Sequence, residues 1–289
     1  LYAICLFLFV IILKSLFSVF IIWQQSKFSF DLMKYFSKKI FDKYLNNSWE
    51  FHLTNNSSIL LRNVTDESSL VTNTVIMSLL VFLNQMFLMM GIFLFLIYFE
   101  PFGTTIVFAV LCLVAWIYQK VTKGVLVRWG QLRQDMYGER NKAVMQGLEG
   151  IKEIKILSKE SFFVRIFDKP NKLAADIQTK LHTLSVVPKN MLELIAVFGL
   201  LTLTLVFIYQ DKSLQTLLPI LAVFAAAAFR LLPSMSLLLS SLQSIRYAYP
   251  SVNILKNDLR EEPKIFKEKK HSKEVRFQND IIIDNLNFH

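Results

Sequence analysis

Charged residues are scarce in this chain. They make up 19% of its 289 residues, where a soluble domain carries about a quarter. That argues against a soluble enzyme and against a disordered chain. The two cysteines, Cys5 and Cys112, stand far apart in apolar runs, which excludes a disulfide framework and a cysteine metal site. The four histidines, His52, His182, His271 and His289, are scattered and have neither metal nor triad spacing. Eight glycines are present and no two stand five apart. The loop Gly-x-x-x-x-Gly-Lys-Ser/Thr, which turns backbone amides onto nucleotide phosphates, is therefore absent. By this reading the chain has no catalytic residue and should not hydrolyse ATP by itself. It opens on Leu1 inside an apolar run, with no basic n-region or cleavage site, so a signal peptide is excluded. Its last residues, Ile281 to His289, read as a strand cut short. Both ends are those expected of a fragment.

What the chain has in abundance is apolar surface. Hydrophobic residues reach 54%, and 26 of them are phenylalanine. A spanning helix needs about 20 mostly apolar residues. Five stretches qualify: 1–23, 71–99, 105–118 with its flanks, 191–209 and 214–242. The second and third are joined only by Glu100-Pro101-Phe102-Gly103, and the last two only by Gln210-Asp211-Lys212-Ser213. The pattern is one helix followed by two hairpins.

The formal charge of +10 is distributed unevenly. Six Lys/Arg fall in 24–70, fourteen in 119–189 and nine from Gln243 onward, while the two short turns share one, Lys212. Basic excess in alternate loops places those loops on the cytoplasmic side. The expectation is a multi-pass protein of the cytoplasmic (inner) membrane, with its short turns outside and no nucleic-acid role for its charge. The sequons at Asn46, Asn56 and Asn63 then face the cytoplasm and stay unglycosylated. Residues 119–189 keep a helical apolar rhythm through Val144, Leu148, Ile151, Ile154 and Leu157. Two such arms of about 35 residues would reach about 50 Å from the membrane. They read either as a solvated hairpin or as a lever to a cytoplasmic engine. The membrane domain is expected to end near 245. A charged linker would follow over 246–273, with the first strands of a soluble domain over 274–289.

Two cations lie inside apolar spans, Lys14 and Arg230. A charge there is costly and marks a functional site by default. At 1.5 Å per residue they lie about 20 and 24 Å from the outer ends of their helices, so both could face one layer of a cavity and hold a compact anion. Snorkelling to an interface is the alternative for each. Pro233, three residues beyond Arg230, is expected to kink its helix, as a hinge or as a tolerated membrane proline. Glu193 beside Lys189 reads as an interfacial ion pair or a gating residue. Aromatics near span ends, among them Trp23, Trp116 and Tyr118, read as interfacial belts.

Several segments resemble a known family. Asn63-Val64-Thr65-Asp66-Glu67 and Gly150-Ile151-Lys152-Glu153-Ile154-Lys155-Ile156-Leu157-Ser158-Lys159-Glu160 resemble stretches beside the two coupling helices of type I ABC exporters. Val187-Pro188-Lys189-Asn190-Met191-Leu192-Glu193 and Phe229-Arg230-Leu231-Leu232-Pro233-Ser234 resemble the PglK-type flippase of lipid-linked oligosaccharides. The resemblance covers essentially the whole chain, from the second transmembrane helix to the start of a nucleotide-binding domain. It implies an all-α membrane bundle with long cytoplasmic helical extensions and a truncated β start of the ATP-binding domain. It also implies a homodimer or heterodimer of half-transporters in membrane lipid, with ATP and Mg bound elsewhere in the full-length protein. The cargo it implies is a lipid-linked glycan or other amphipathic molecule. Coupling helices would lie near Phe51, His52, Leu53 and Thr54 and near Leu157, Ser158, Lys159 and Glu160. Two alternatives stand beside the flippase: an exporter of hydrophobic drugs, peptides or proteins, and a membrane receptor or scaffold with helical arms.

Overall fold

The computed structural model describes residues 2–99, 101–209 and 214–260, with side chains at all of these except 99, 102, 103, 106, 200, 203–209 and 214–227. No strand occurs among the described residues. Helix α1 (Tyr2–Leu45) leads to two short helices, α2 (Trp49–Thr54) and α3 (Ser57–Arg62). From Ser57 the chain is helical without a break to Phe99, through α3, α4 (Ser68–Leu70) and α5 (Met77–Phe99), with two π-helical stretches at Asn63–Glu67 and Val71–Ile76. Helix α6 (Pro101–Glu149) and helix α8 (Glu160–Tyr209) flank the short α7 (Ile151–Ile156), and α9 (Leu214–Tyr247) and α10 (Tyr249–Arg260) follow. Four helices among the described residues are long and apolar enough to cross a membrane. They hold the first four expected spans. The fifth span lies in α9, with its side chains partly outside the described residues. The expected turn at 210–213 and the strands at 274–289 lie wholly outside them.

The spans and arms are single helices. At 1.5 Å per residue, the 49 residues of α6 and 50 of α8 run about 75 Å each, so the basic arms are continuations of the apolar spans. Pro101 opens α6 at the position where a missing N–H costs nothing. Helix α8 runs through Pro170 and Pro188, both buried. Two small cores hold the helices together. One joins α6, α8 and α9 through Leu111, Tyr118, Leu192, Met235 and Leu239. The other joins α1, the second π-helical stretch and α10 through Ile40, Tyr44, Val71 and Leu255. By contrast, residues 2–24 of α1 are exposed throughout, which for an apolar helix means contact with lipid or another chain.

The π-helical stretches have a chemical cause. Residues 63–74 read Asn-Val-Thr-Asp-Glu-Ser-Ser-Leu-Val-Thr-Asn-Thr, and short polar side chains compete with the backbone for its carbonyls. The Ser68 hydroxyl donates to the Asn63 carbonyl at 3.1 Å, and Thr72 donates to Ser68 at 3.0 Å. Two hydroxyls from α1 complete the arrangement. Ser29 donates to the carbonyl of Thr72 and Ser37 to that of Val64, each at 2.9 Å. One serine is thus bonded to each π-helical stretch, and α1 is held by hydrogen bonds as well as by packing.

Two expectations about short segments change. The first described part of the expected linker is helix α10, packed against α6 and the first π-helical stretch. Its apolar Val252, Leu255 and Leu259 join the second core, which offsets the pull of its charges toward solvent. The short helix between the arms is Ile151–Ile156, earlier than the expected site at Leu157–Glu160. Leu157, Ser158 and Lys159 instead form the turn after it, and Glu160 opens α8. Ser158 takes a left-handed φ of 51°. The Ser158 amide donates to Lys155 and the Lys159 amide to Ile154, at 3.3 and 3.0 Å, which is the Schellman termination. Glycine would adopt this φ without a Cβ penalty. Ser158→Gly should therefore raise stability by about 0.5–1 kcal/mol, seen as a higher midpoint in thermal unfolding. An unchanged or lower midpoint would contradict it.

Candidate functional site

The two intramembrane cations are not brought together by any contact in the structure. Lys14 lies within the uniformly exposed stretch of α1. Arg230 is exposed on α9 beside Phe229, which is 85% exposed. Neither side chain has an ion pair or hydrogen bond among the described residues. The assigned helix continues through Pro233, with the Ser234 hydroxyl donating to the Arg230 carbonyl at 3.0 Å. Glu193 lies 4.0 Å from Lys189 one turn away, both well exposed. Such a pair is worth at most about 1 kcal/mol.

The first coupling-helix candidate is a helix folded back onto the end of α1. Phe51 packs on Tyr44 with ring centroids 5.7 Å apart, and a ring nitrogen of His52 lies 3.0 Å from the Tyr44 carbonyl. This leaves Leu53 and Thr54 facing outward with Trp49. At the other arm tip, Ile154 is buried while Ile156 and Leu157 are exposed. Lys155 and Glu160 close that turn with a 3.0 Å ion pair. Glu160's own backbone N–H and then Lys155 hold its carboxyl below the usual range. Each tip therefore presents exposed apolar side chains beside inward anchors, Phe51 and His52 at one and Ile154 at the other.

A buried polar cluster forms at the base of the bundle, among residues the sequence reading did not select as a site. Glu67 is 0% exposed and accepts from Arg133 at 3.0 Å. The Nε of Arg62 lies 3.6 Å from the same carboxylate. Arg133 also donates to the Ser251 hydroxyl at 2.9 Å. Arg62 donates to the Gln134 carbonyl at 2.9 Å and to Asn63 at 3.2 Å. Asn63 in turn donates to the Tyr44 hydroxyl, which donates to Asp258 at 2.5 Å. Lys43 donates to the Asp258 carbonyl. The cluster ties α1, the first π-helical stretch, α6 and α10 through hydrogen bonds and the ion pairs of Glu67. Burial and then the Asp258 bond push the Tyr44 hydroxyl well up, so it remains a donor. The only hint of this in sequence was the polar run after Arg62. Arg133 itself looks like any basic residue of an arm.

Beside the cluster lies a cavity of about 270 Å³ between the second π-helical stretch, α6, α8 and α9, with Arg133, Tyr137, Gln178 and Tyr247 in its wall. Arg133 sits over both tyrosine rings, its guanidinium carbon 5.3 Å from the Tyr137 centroid and 5.8 Å from that of Tyr247. Burial pushes the Tyr247 hydroxyl up to about 12.

Four of the described helices are long and apolar enough to cross a membrane, and they continue unbroken into polar arms with short helices at the tips. The ABC transporter transmembrane region family matches residues 1–232, and the chain belongs to that family. It is a multi-pass membrane protein, and its all-α exporter fold is as the sequence led one to expect.

Proposed function

We propose that the chain is the membrane-spanning part of an ATP-driven transporter that moves an anionic amphipathic cargo, a lipid-linked oligosaccharide or similar glycolipid, by alternating access. The engine would be a nucleotide-binding domain with ATP and Mg, joined beyond α10, and two half-transporters would form the pathway. The arm tips support this reading: anchored, outward-facing apolar residues at α2 and α7 suit docking onto such a domain. Loops and C-terminal end would be cytoplasmic, by the distribution of Lys and Arg. The receptor or scaffold alternative has no support from the family match.

The cargo class rests on Arg230, an exposed cation beside an apolar stretch of α9, where an amphiphile with a charged head would need it. In a flipping assay with a pyrophosphate-linked lipid, Arg230→Ala should lower transport at least about tenfold, as expected for loss of a charge-assisted contact. Unchanged transport would remove the anionic cargo. One observation favours the drug or peptide exporter instead: Lys14 and Arg230 are not brought together, so the two-cation grip expected for a pyrophosphate is not formed. Stimulation of ATPase activity by apolar compounds, with no response to anionic glycolipid, would decide for that reading.

A further inference from the structure

The cavity beside the buried cluster is built to take a compact anion. We propose that it binds a phosphate group, held by the Arg133 guanidinium beside the rings of Tyr137 and Tyr247. This stands apart from the cargo reading and needs neither Arg230 nor Lys14.

Arg133 is 3% exposed. All its hydrogen bonds among the described residues are made by Nη2, to Glu67 and Ser251. Its Nε is buried and has no hydrogen-bond partner. A guanidinium carries five donors, and leaving buried ones unmade is costly. Arg133 itself lies in the cavity wall. Arg62 and Arg133 share the carboxylate of Glu67, while the Asp258 carboxylate accepts from Tyr44 and Asn63 and its backbone carbonyl accepts from Lys43.

The rest of the wall suits an oxyanion. Thr74 and Ser244 bring hydroxyls, as does Tyr137, and no acidic residue lines the cavity. Tyr247 donates to the side-chain oxygen of Gln178 at 3.4 Å. About 270 Å³ is slightly below the range of about 300–1,000 Å³ for drug-sized ligands. It admits a phosphate or a head group but not an oligosaccharide or an acyl chain. The phosphate could come free from solution or on a lipid head group.

The test uses the full chain in neutral phosphatidylcholine nanodiscs. Inorganic phosphate is titrated at constant ionic strength by calorimetry, and a parallel set of nanodiscs carries phosphatidic acid, with protection against thermal unfolding as the readout. Leu181, also in the wall, is replaced by Trp to fill the cavity without touching the ion pairs. A second variant, Thr74→Val with Ser244→Ala, removes hydroxyl donors in case the first fails to fold. The expected result is saturable phosphate binding, or protection by phosphatidic acid, weakened about tenfold or more in either variant. A response to free phosphate assigns a soluble oxyanion, and a response to phosphatidic acid alone assigns a head group. Phosphate bound at a nucleotide site elsewhere would persist in both variants, so only the variant-sensitive part counts. No response to either probe, or a response that both folded variants retain in full, overturns the proposal.

Discussion

Replacing Glu67 by alanine should destabilise the protein by about 3–5 kcal/mol, the cost of breaking a buried ion pair by removing one partner. For a chain of this size that is a fall in unfolding midpoint of order 10 °C. The size follows from geometry. Glu67 is fully buried and faces both Arg62 and Arg133. Its loss leaves two guanidiniums out of water with no carboxylate between them. Arg133 would keep only its bond to Ser251, and the tie between the first π-helical stretch, α6 and α10 would weaken. A paired replacement distinguishes this cause from simple loss of packing. Removing a buried charge together with its partner is far milder than removing one alone. Glu67→Leu with Arg133→Met should therefore unfold at a higher temperature than Glu67→Ala. If Glu67→Ala unfolds at the parent midpoint, or the pair is worse than the single change, the ion pairs do not hold this region together.

Gly130→Ala should also be damaging, for a steric reason. A Cβ at Gly130 would lie against the backbone carbonyl oxygen of Tyr247, with the carbonyl carbon 3.1 Å away and Cδ of Pro250 at 3.3 Å. Backbone cannot rotate aside as a side chain can, so α6 must move from the α9–α10 junction. Overpacking of this kind costs about 1–3 kcal/mol and sometimes more, and here it acts on the same junction that Arg133 binds. Gly124, six residues earlier on α6, is the control, because a Cβ there meets nothing within 4 Å. Gly124→Ala should be neutral or stabilising by up to about 1 kcal/mol from helix propensity. Thermal unfolding of the two variants side by side gives the comparison. Equal midpoints would show that the close approach at Gly130 is unimportant.

The two glycines looked alike in sequence, and that similarity marks the boundary of what sequence reading could reach. The apolar runs, the two hairpin turns and the uneven basic charge fixed the membrane class and the order of spans, because crossing a bilayer demands about 20 apolar residues whatever the packing. The helical rhythm of residues 119–189 likewise indicated the arms. Periodicity is a local property and survives without knowledge of neighbours. The position of the short helix between the arms was missed by several residues, since it depends on where one residue, Ser158, takes a left-handed φ. Helix α10 falls within the expected linker because the charged run from Arg260 to Lys273 dominates that part of the sequence. Its docking depends on Val252, Leu255 and Leu259 meeting α1 and the helical stretch after α2.

The site residues divide in the same way. Lys14 and Arg230 stood out because a charge in an apolar run is visible in one dimension. Whether they meet is a three-dimensional question, and the structure keeps the Lys14 stretch of α1 exposed. Arg62, Arg133 and Asp258 were invisible for the opposite reason, and Glu67 was legible only as the end of the run Asn63–Glu67: each lies in a polar segment where charge is ordinary. Residues more than 200 positions apart, such as Tyr44 and Asp258, become a cluster only when α1, α6 and α10 converge. The sequence by itself determined the membrane helices and their polar extensions, through hydropathy and charge alone. Only the tertiary structure decided which of 32 basic residues would be buried, because burial is set by the helices that pack against a residue and not by its neighbours in the chain.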